Sequence, residues 1–153
     1  MDSNEARHSA AHYFLEGLNE IGFDYLFCNF GTDHAPLIEA MASFKKAGRK
    51  MPAIILCPHE NTAVHMAAGY AIATGRGQGV MVHVDAGTAN SAMALHNLCR
   101  ARIPVMLMAG KAPFTTRGAM GVSSSTFAIS AIDESATIGT LPVRHSYRTQ
   151  PTA

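Results

Sequence analysis

Glu60 is the strongest candidate in this sequence for a chemically active residue, because of both its type and its position. It follows the apolar run 53–57 and Pro58, and it opens a segment in which small and apolar residues recur with helical spacing. A carboxylate at such a junction lies at the carboxyl edge of a parallel sheet, where α/β proteins bind ligands. There it could accept a hydrogen bond or move a proton. Glu60 is therefore the first candidate for a catalytic or ligand-binding residue.

His83 is the second candidate, because it interrupts an otherwise apolar strand predicted over 80–85. A neutral imidazole near the carboxyl edge of the sheet could serve as acid, base or hydrogen-bond partner of a substrate. A hydrogen-bonded structural histidine is the other interpretation.

Residues 87–90, which follow His83, stand where a strand is predicted to become a helix. Free backbone N–H groups there could bind a ligand, or Thr88 or Asn90 could simply cap the helix.

Two other kinds of site are disfavoured by spacing. A zinc site built on His59 and Glu60 needs a second histidine four residues after the first, but position 63 is Ala. His65 would lie about 120° away around a helix, so we predict no metal site here. The glycines of 75–79 have the wrong spacing for a dinucleotide loop and follow a helix, and no phosphate loop occurs. A flavodoxin-like nucleotide binder is therefore the weaker alternative, and 75–79 is predicted to be a flexible turn.

The elements that must position these residues alternate between strand and helix. Apolar periodicity and glycine stops predict helices at about 6–21, 37–47, 61–74 and 89–100, and strands at 23–30, 53–57, 80–85 and 104–109. Such alternation predicts an α/β fold, a three-layer sandwich with a parallel sheet of at least four strands and helices on both faces. Three strand ends then bring residues 31–34, 59–60 and 85–88 to one edge of the sheet.

Composition limits the classes of partner. The 153 residues suffice for a single domain with a core, and 48% of them are hydrophobic while 15% are charged, which hints that a partner covers some surface. A net charge of +1 without a Lys/Arg cluster gives no footprint for nucleic acid or an anionic membrane. No apolar run approaches the roughly 20 residues that span a bilayer, and the N-terminus lacks signal-peptide features. We therefore expect a cytoplasmic protein with reduced cysteines.

The sequence changes character after Gly121. Residues 122–153 are rich in Ser and Thr and show no sustained period. We predict a domain over 1–121 and a divergent or loosely packed extension over 122–153. A short helix near 127–138 and a weak edge strand at 141–143 are the elements expected within it.

Residues 58–75 resemble the pyrimidine-binding N-terminal domain of thiamine diphosphate enzymes, the acetolactate synthase and benzoylformate decarboxylase superfamily. The resemblance rests on a Glu followed by small and apolar residues, then Ala-Ala-Gly-Tyr-Ala and Ala-Thr-Gly, and it extends from about 6 to 113. Residues 83–90 look more like the benzoylformate decarboxylase pattern, with its active-site His, than like the acetolactate synthase pattern.

The resemblance implies roles for individual residues. Glu60 would hydrogen-bond N1′ of the aminopyrimidine of thiamine diphosphate and promote its imino tautomer, and shielding from water would raise its pKa. His83 would lie near the substrate. The family usually has Pro-Gly where this chain has Asp33-His34. The further cofactor-binding candidates, which would line the pyrimidine pocket or its mouth, are Gly31, Thr32, Asp33, His34, Gly87 and Asn90.

The resemblance also implies a reaction and a partner. The family's enzymes act on small 2-oxo acids as decarboxylases or carboligases, with thiamine diphosphate as electron sink. The Gly-Asp-Gly domain that binds diphosphate and Mg²⁺ in this family is absent from these residues. We therefore expect an inactive lone chain that works as a homodimer or hetero-assembly, with Mg²⁺ held by a partner domain. A natural short subunit, a truncation or a frameshift would each give this pattern. The alternative is a non-catalytic remnant or regulatory module that keeps the fold.

Overall fold

The computed structural model describes residues 9–110 and the backbone of residues 129–132. It contains every helix and strand that the periodicity predicts in this part of the chain, plus one strand in the predicted extension. The helices are α1 (Ala10–Ile21), α2 (Ala35–Lys46), α3 (Glu60–Thr74) and α4 (Val84–Ala101), and a short 3₁₀ turn covers Thr32–His34. The strands are β1 (Tyr25–Cys28), β2 (Ala53–Leu56), β3 (Gln78–Val82), β4 (Val105–Gly110) and β5 (Ile129–Ile132).

The sheet has the order β2-β1-β3-β4-β5. The first four strands are parallel, whereas β5 pairs antiparallel with β4. The predicted parallel sheet of at least four strands is confirmed. The predicted short helix near 127–138 was wrong over Ile129–Ile132, where the open edge of β4 offers backbone groups for pairing. The rest of 122–153, including 141–143, lies outside the described residues, so the boundary at 121 stays a prediction.

Helices cover both faces of the sheet, as predicted. On one face α1 and α2 pack against alternate strand residues such as Leu26 and Met81, and on the other face α3 and α4 pack against residues such as Phe27 and Val80. This alternation follows from the two-residue period of a strand, and it explains why these strands are apolar throughout. None of the helices in residues 9–110 has the length and apolarity that a membrane span requires.

Gln78 anchors the start of β3 and corrects one prediction. Its side chain is fully buried, its Oε1 accepts from the N–H groups of Asp24 and Tyr25 at 2.9 and 2.8 Å, and its Nε2 donates to the Gly77 carbonyl at 2.6 Å. The predicted flexible turn at 75–79 was therefore wrong at its end, because Gln78 and Gly79 belong to the strand. A Cβ on Gly79 would lie 2.9 Å from Leu26 Cδ1, so packing explains the glycine.

Candidate functional site

The carboxyl ends of β1 to β4 lie at one edge of the sheet because these strands are parallel. The chain leaves β1 for α2 on one face and leaves the neighbouring β3 for α4 on the other face. Connections that diverge between adjacent strands open a crevice, and this strand order places it between β1 and β3. The candidate residues predicted from the sequence follow β1, β2 and β3, and they surround this crevice.

Glu60 is the first residue of α3 and is only 6% exposed. The helix begins one residue earlier than predicted, because the His59 ring caps it by accepting from the Asn61 N–H at 3.2 Å. Two amide side chains hold the carboxylate. Asn29 Nδ2 donates to Oε1 at 2.9 Å and Asn90 Nδ2 donates to Oε2 at 3.0 Å. The ends of β1 and β2 and the second turn of α4 thus meet at one carboxylate.

The hydrogen bonds to Glu60 set its protonation. Burial raises the pKa of Glu60, but the bonds from Asn90, from the Glu60 backbone N–H and from Asn29, together with the nearby His59, outweigh burial and bring the pKa below its ordinary value. The raised pKa expected from shielding alone was therefore wrong for the chain by itself. Glu60 is an ionised carboxylate held in a fixed orientation.

Gly87 allows α4 to approach Glu60. A Cβ on Gly87 would lie 2.9 Å from Val82 Cβ and 3.3 Å from Glu60 Oε1. The helix begins at Val84, not near 89, because the chain turns directly from β3 into α4 at a left-handed residue, Val84, with φ 34°. The prediction of free backbone N–H groups at 87–90 was therefore wrong at Gly87, whose N–H donates to the His83 carbonyl at 2.8 Å.

Thr88 does not cap α4 either, since its hydroxyl donates to the Val84 carbonyl within the helix. Asp85, expected at the end of β3, lies instead in the first turn of α4. Asn90 is in the same helix and reaches Glu60, so of these polar residues it is the one that contributes to the Glu60 cluster.

A second cluster joins Asp33, His34 and His83. His83 follows the end of β3 instead of interrupting the strand, and its Nδ1 lies 2.5 Å from Asp33 Oδ1. His34 Nδ1 lies 3.0 Å from the same oxygen and accepts the Gly31 N–H at 3.0 Å. His34 is fully buried, and burial lowers its pKa although the Asp33 charge opposes this effect. The side chains of Asp33 and His83 are 9% and 39% exposed.

Comparisons with known proteins identify the family of the chain. Residues 8–136 match the family described as "Thiamine pyrophosphate enzyme, N-terminal TPP binding domain". The chain belongs to this family. It is a thiamine diphosphate-binding N-terminal domain of the kind found in acetolactate synthases and benzoylformate decarboxylases, so the predicted family and fold are confirmed.

Individual relatives match about two thirds of the chain. It is 31% identical over 102 residues to the "Putative acetolactate synthase large subunit IlvX" of Mycobacterium tuberculosis, covering 67% of this chain and 19% of that protein. It is 35% identical over 104 residues to the benzoylformate decarboxylase of Pseudomonas aeruginosa, covering 68% and 18%. The chain thus spans about a fifth of the length of these relatives.

A solved structure gives the same result. This structure, of a "putative thiamin diphosphate-dependent enzyme" from Mycobacterium smegmatis, aligns with a TM-score of 0.53 and 26% identity, over 68% of this chain and 19% of that one. The family match therefore extends to the arrangement of the helices and strands.

Within this family domain the structure brings together most residues singled out from the sequence. Gly87 and Asn90 join Glu60, and Gly31, Asp33 and His34 join His83, whereas Thr32 is exposed in the short turn. Two residues were missed. Asn29 is the polar residue that interrupts the apolar run before Gly31, and this signal could have revealed it. Gly110 lies against Asp33 at the end of β4, and nothing local distinguishes it.

The Asp33, His34 and His83 cluster also has ligand atoms that could meet at a metal ion, all within 4.8 Å of one another. The hydrogen bonds favour another interpretation, because His34 Nδ1 already accepts the Gly31 N–H and has no lone pair left for a cation. A hydrogen-bonded cluster is the arrangement that the geometry supports.

Replacing Asn90 with Ala is expected to weaken the dependence of the unfolding free energy on pH in the acid range. The lowered pKa of Glu60 contributes stability that is present above the unfolded-state pKa and is lost as pH falls through the folded-state pKa. Without the Asn90 donor the pKa of Glu60 rises and this contribution shrinks, by about 1 kcal/mol at neutral pH. Urea unfolding at neutral and acid pH measures the effect.

The matched control for this change is Asn97→Ala, at an exposed asparagine of the same helix. It should leave the acid dependence of the urea midpoint as in the wild type. If Asn90→Ala and Asn97→Ala lost equal stability on acidification, the hydrogen bond from Asn90 would not be what lowers the pKa of Glu60.

Proposed function

We propose that Glu60 holds the aminopyrimidine of thiamine diphosphate within a 2-oxo acid decarboxylase or carboligase. The observation that carries this proposal is the buried Glu60 carboxylate, fixed by Asn29 and Asn90 beside the crevice between β1 and β3. Each carboxylate oxygen can accept more than one hydrogen bond. A ring N–H could therefore bind Glu60 while both asparagines stay in place, so the residues present fit the cofactor.

The residues of this chain would divide the work between them. When bound, thiamine diphosphate supplies the electron sink that decarboxylation of a 2-oxo acid needs. Glu60 would accept a hydrogen bond from N1′ of the pyrimidine and exchange a proton with it, and Asn29 and Asn90 would keep the carboxylate in position. Gly87 would keep α4 close enough for this contact. His83 would lie on the substrate side, at the neighbouring strand end.

We further propose that the diphosphate and Mg²⁺ are held by a separate diphosphate-binding domain or subunit, in a homodimer or a hetero-assembly. The apolar surface of the chain supports this proposal. Leu56 at the end of the edge strand β2 is 72% exposed, and Ile72 and Met93 on the outer helices are each 68% exposed. An open sheet edge offers unpaired backbone groups to another chain, and apolar side chains that form a contiguous patch mark an interaction surface. The cytoplasmic location stays a prediction.

Calorimetric titration of thiamine diphosphate with Mg²⁺ tests the proposal, with and without a candidate subunit that carries the Gly-Asp-Gly domain. We expect tight binding and 2-oxo acid turnover only when both chains are present. Robust turnover by the lone chain would overturn the shared site. Assembly of the two chains without any cofactor binding would instead support the regulatory module considered as the alternative.

A further inference from the structure

We propose that Asp33 is a positioning residue that fixes the tautomer and orientation of His83. In this arrangement the Asp33 carboxylate accepts from His83 Nδ1–H, and Nε2 is left as the nitrogen that meets a substrate. The inference rests on the proposed function, because it assigns a partner to the histidine of that same site.

The Asp33 and His83 side chains are in close contact, and the two residues follow the ends of adjacent strands. Asp33 lies in the turn after β1 and His83 lies directly after β3, and Oδ1 and Nδ1 are 2.5 Å apart. An ionised carboxylate can only accept, so the proton of this hydrogen bond is on His83 Nδ1. Asp33 is nearly buried whereas His83 is 39% exposed along its side chain. The acid is thus fixed in the protein and the imidazole extends from it.

His34 does not compete for this role, although its Nδ1 is 3.0 Å from the same oxygen. That nitrogen accepts the Gly31 N–H, and a neutral imidazole that accepts at Nδ1 carries its proton at Nε2. Burial lowers the pKa of His34 and keeps it neutral. His34 therefore has no proton to give Asp33 at this position, and the donor to Asp33 Oδ1 is His83.

Two glycines make room for the pair. A Cβ on Gly31 would lie 2.1 Å from His83 Nδ1, and a Cβ on Gly110 would lie 1.4 Å from Asp33 Oδ2. The ring atoms nearest to Gly31 are Nδ1, Cγ and Cε1. The Nδ1 edge of His83 is therefore the packed edge, and Nε2 belongs to the other edge of a partly exposed ring.

The orientation has a chemical consequence for His83. With the proton held at Nδ1, the neutral ring presents a lone pair at Nε2 and can accept a hydrogen bond or a proton from a substrate. The opposite tautomer could only donate there. In enzymes that rely on a carboxylate–histidine pair, replacing the Asp by Asn leaves the geometry intact but favours the wrong tautomer. Asp33 would act in the same way, through His83 and without touching the substrate.

Nitrogen NMR of the full chain, labelled with ¹⁵N at histidine, tests the proposal directly. At alkaline pH, where imidazoles are neutral, the ¹⁵N shifts show which ring nitrogen carries the proton. We expect the Nδ1–H tautomer for His83 in the wild type and a shift toward the Nε2–H tautomer in Asp33→Asn, whose amide can donate to Nδ1. The His83→Gln spectrum assigns the signals. An Nε2–H tautomer in the wild type, or an unchanged tautomer in Asp33→Asn, would overturn the proposal.

The matched control is Asp24→Asn, at the amino end of β1, where Asp24 contacts Tyr70 and Arg76. This change should leave the His83 tautomer as in the wild type, and a change equal to that of Asp33→Asn would count against the dyad. Asp33→Ser provides a second variant if Asp33→Asn does not fold, since it also removes the charged acceptor.

Kinetics of the reconstituted assembly separate the dyad from the proposed function. Asp33→Asn should lower kcat by about 10²-fold, the lower end for loss of acid–base catalysis, with thiamine diphosphate affinity retained. Combined with His83→Gln it should cost no more than His83→Gln alone, because the two residues act as a unit. If the assembly did not bind thiamine diphosphate, the proposed function would fail while the tautomer result stood. Normal binding with an unaltered tautomer would refute the dyad alone.

Discussion

Replacing Glu60 with Gln is expected to lower 2-oxo acid turnover of the reconstituted assembly by at least about 10²-fold. Gln has the same shape but cannot take up and return a proton. Its amide also has only one acceptor oxygen, whereas Asn29 and Asn90 each donate to one oxygen of Glu60. In Glu60→Gln, one of the two asparagine NH₂ groups would therefore face the NH₂ group of the new glutamine. The glutamine amide would then move away from the position that the Glu60 carboxylate holds. Steady-state rates at saturating thiamine diphosphate, together with calorimetric affinity, measure the loss.

The control for this change is Glu39→Gln, at an exposed glutamate of α2. It alters the net charge by the same amount and should leave turnover and cofactor affinity unchanged. Thermal unfolding of both variants checks that the fold is retained. Intact turnover in Glu60→Gln would remove Glu60 from the proton transfer proposed for it, even if the affinity for the cofactor fell.

The position of Glu60 could be predicted because its signals are local. An apolar run, a proline and a segment with helical spacing together mark a strand-to-helix junction, and the fold class places such junctions at a ligand-binding edge. The sign of its pKa shift could not be predicted in the same way. Burial was foreseeable, but the donors come from Asn29 and Asn90, which are 31 and 30 residues away in sequence.

The start of α4 was misjudged because the decisive feature is a backbone turn. The run from Val80 to Asp85 is compatible with a continuing strand, and only the left-handed φ of Val84 ends it after Val82. The same limit applies to Gln78, whose side chain replaces backbone partners for the start of β1. Polarity alone predicts a turn there, whereas the structure buries it as a hydrogen-bonded amide.

The pairing of Asp33 with His83 also depends on tertiary structure. The parallel topology predicts that both residues reach one edge of the sheet, since they follow neighbouring strands. It does not predict that the two side chains meet, because this requires small residues on both sides of them. Gly31 and Gly110 are far apart in sequence. Gly31 leaves room for His83 and Gly110 leaves room for Asp33, and neither glycine is close in sequence to the side chain that it accommodates.

Replacing Gly110 with Ala is therefore expected to disrupt the Asp33–His83 pair. The new Cβ would lie 1.4 Å from Asp33 Oδ2 and 2.5 Å from Asp33 Cγ, so the Asp33 side chain must leave its present position. Overpacking at a buried site costs about 1–3 kcal/mol of unfolding free energy. Urea unfolding measures this cost, and the ¹⁵N shifts of His83 should show loss of the Nδ1–H tautomer in the same variant.

Gly17→Ala is the matched control, in the interior of α1, where a Cβ would meet nothing within 4 Å. Alanine has the higher helix propensity, so this change should stabilise the chain by about 0.5–1 kcal/mol. The two substitutions would then change the stability in opposite directions, because the new Cβ meets Asp33 at position 110 and meets nothing at position 17. If Gly110→Ala kept both the wild-type stability and the His83 tautomer, Asp33 could be held without this glycine, and the close contact at the end of β4 would not be what maintains the pair.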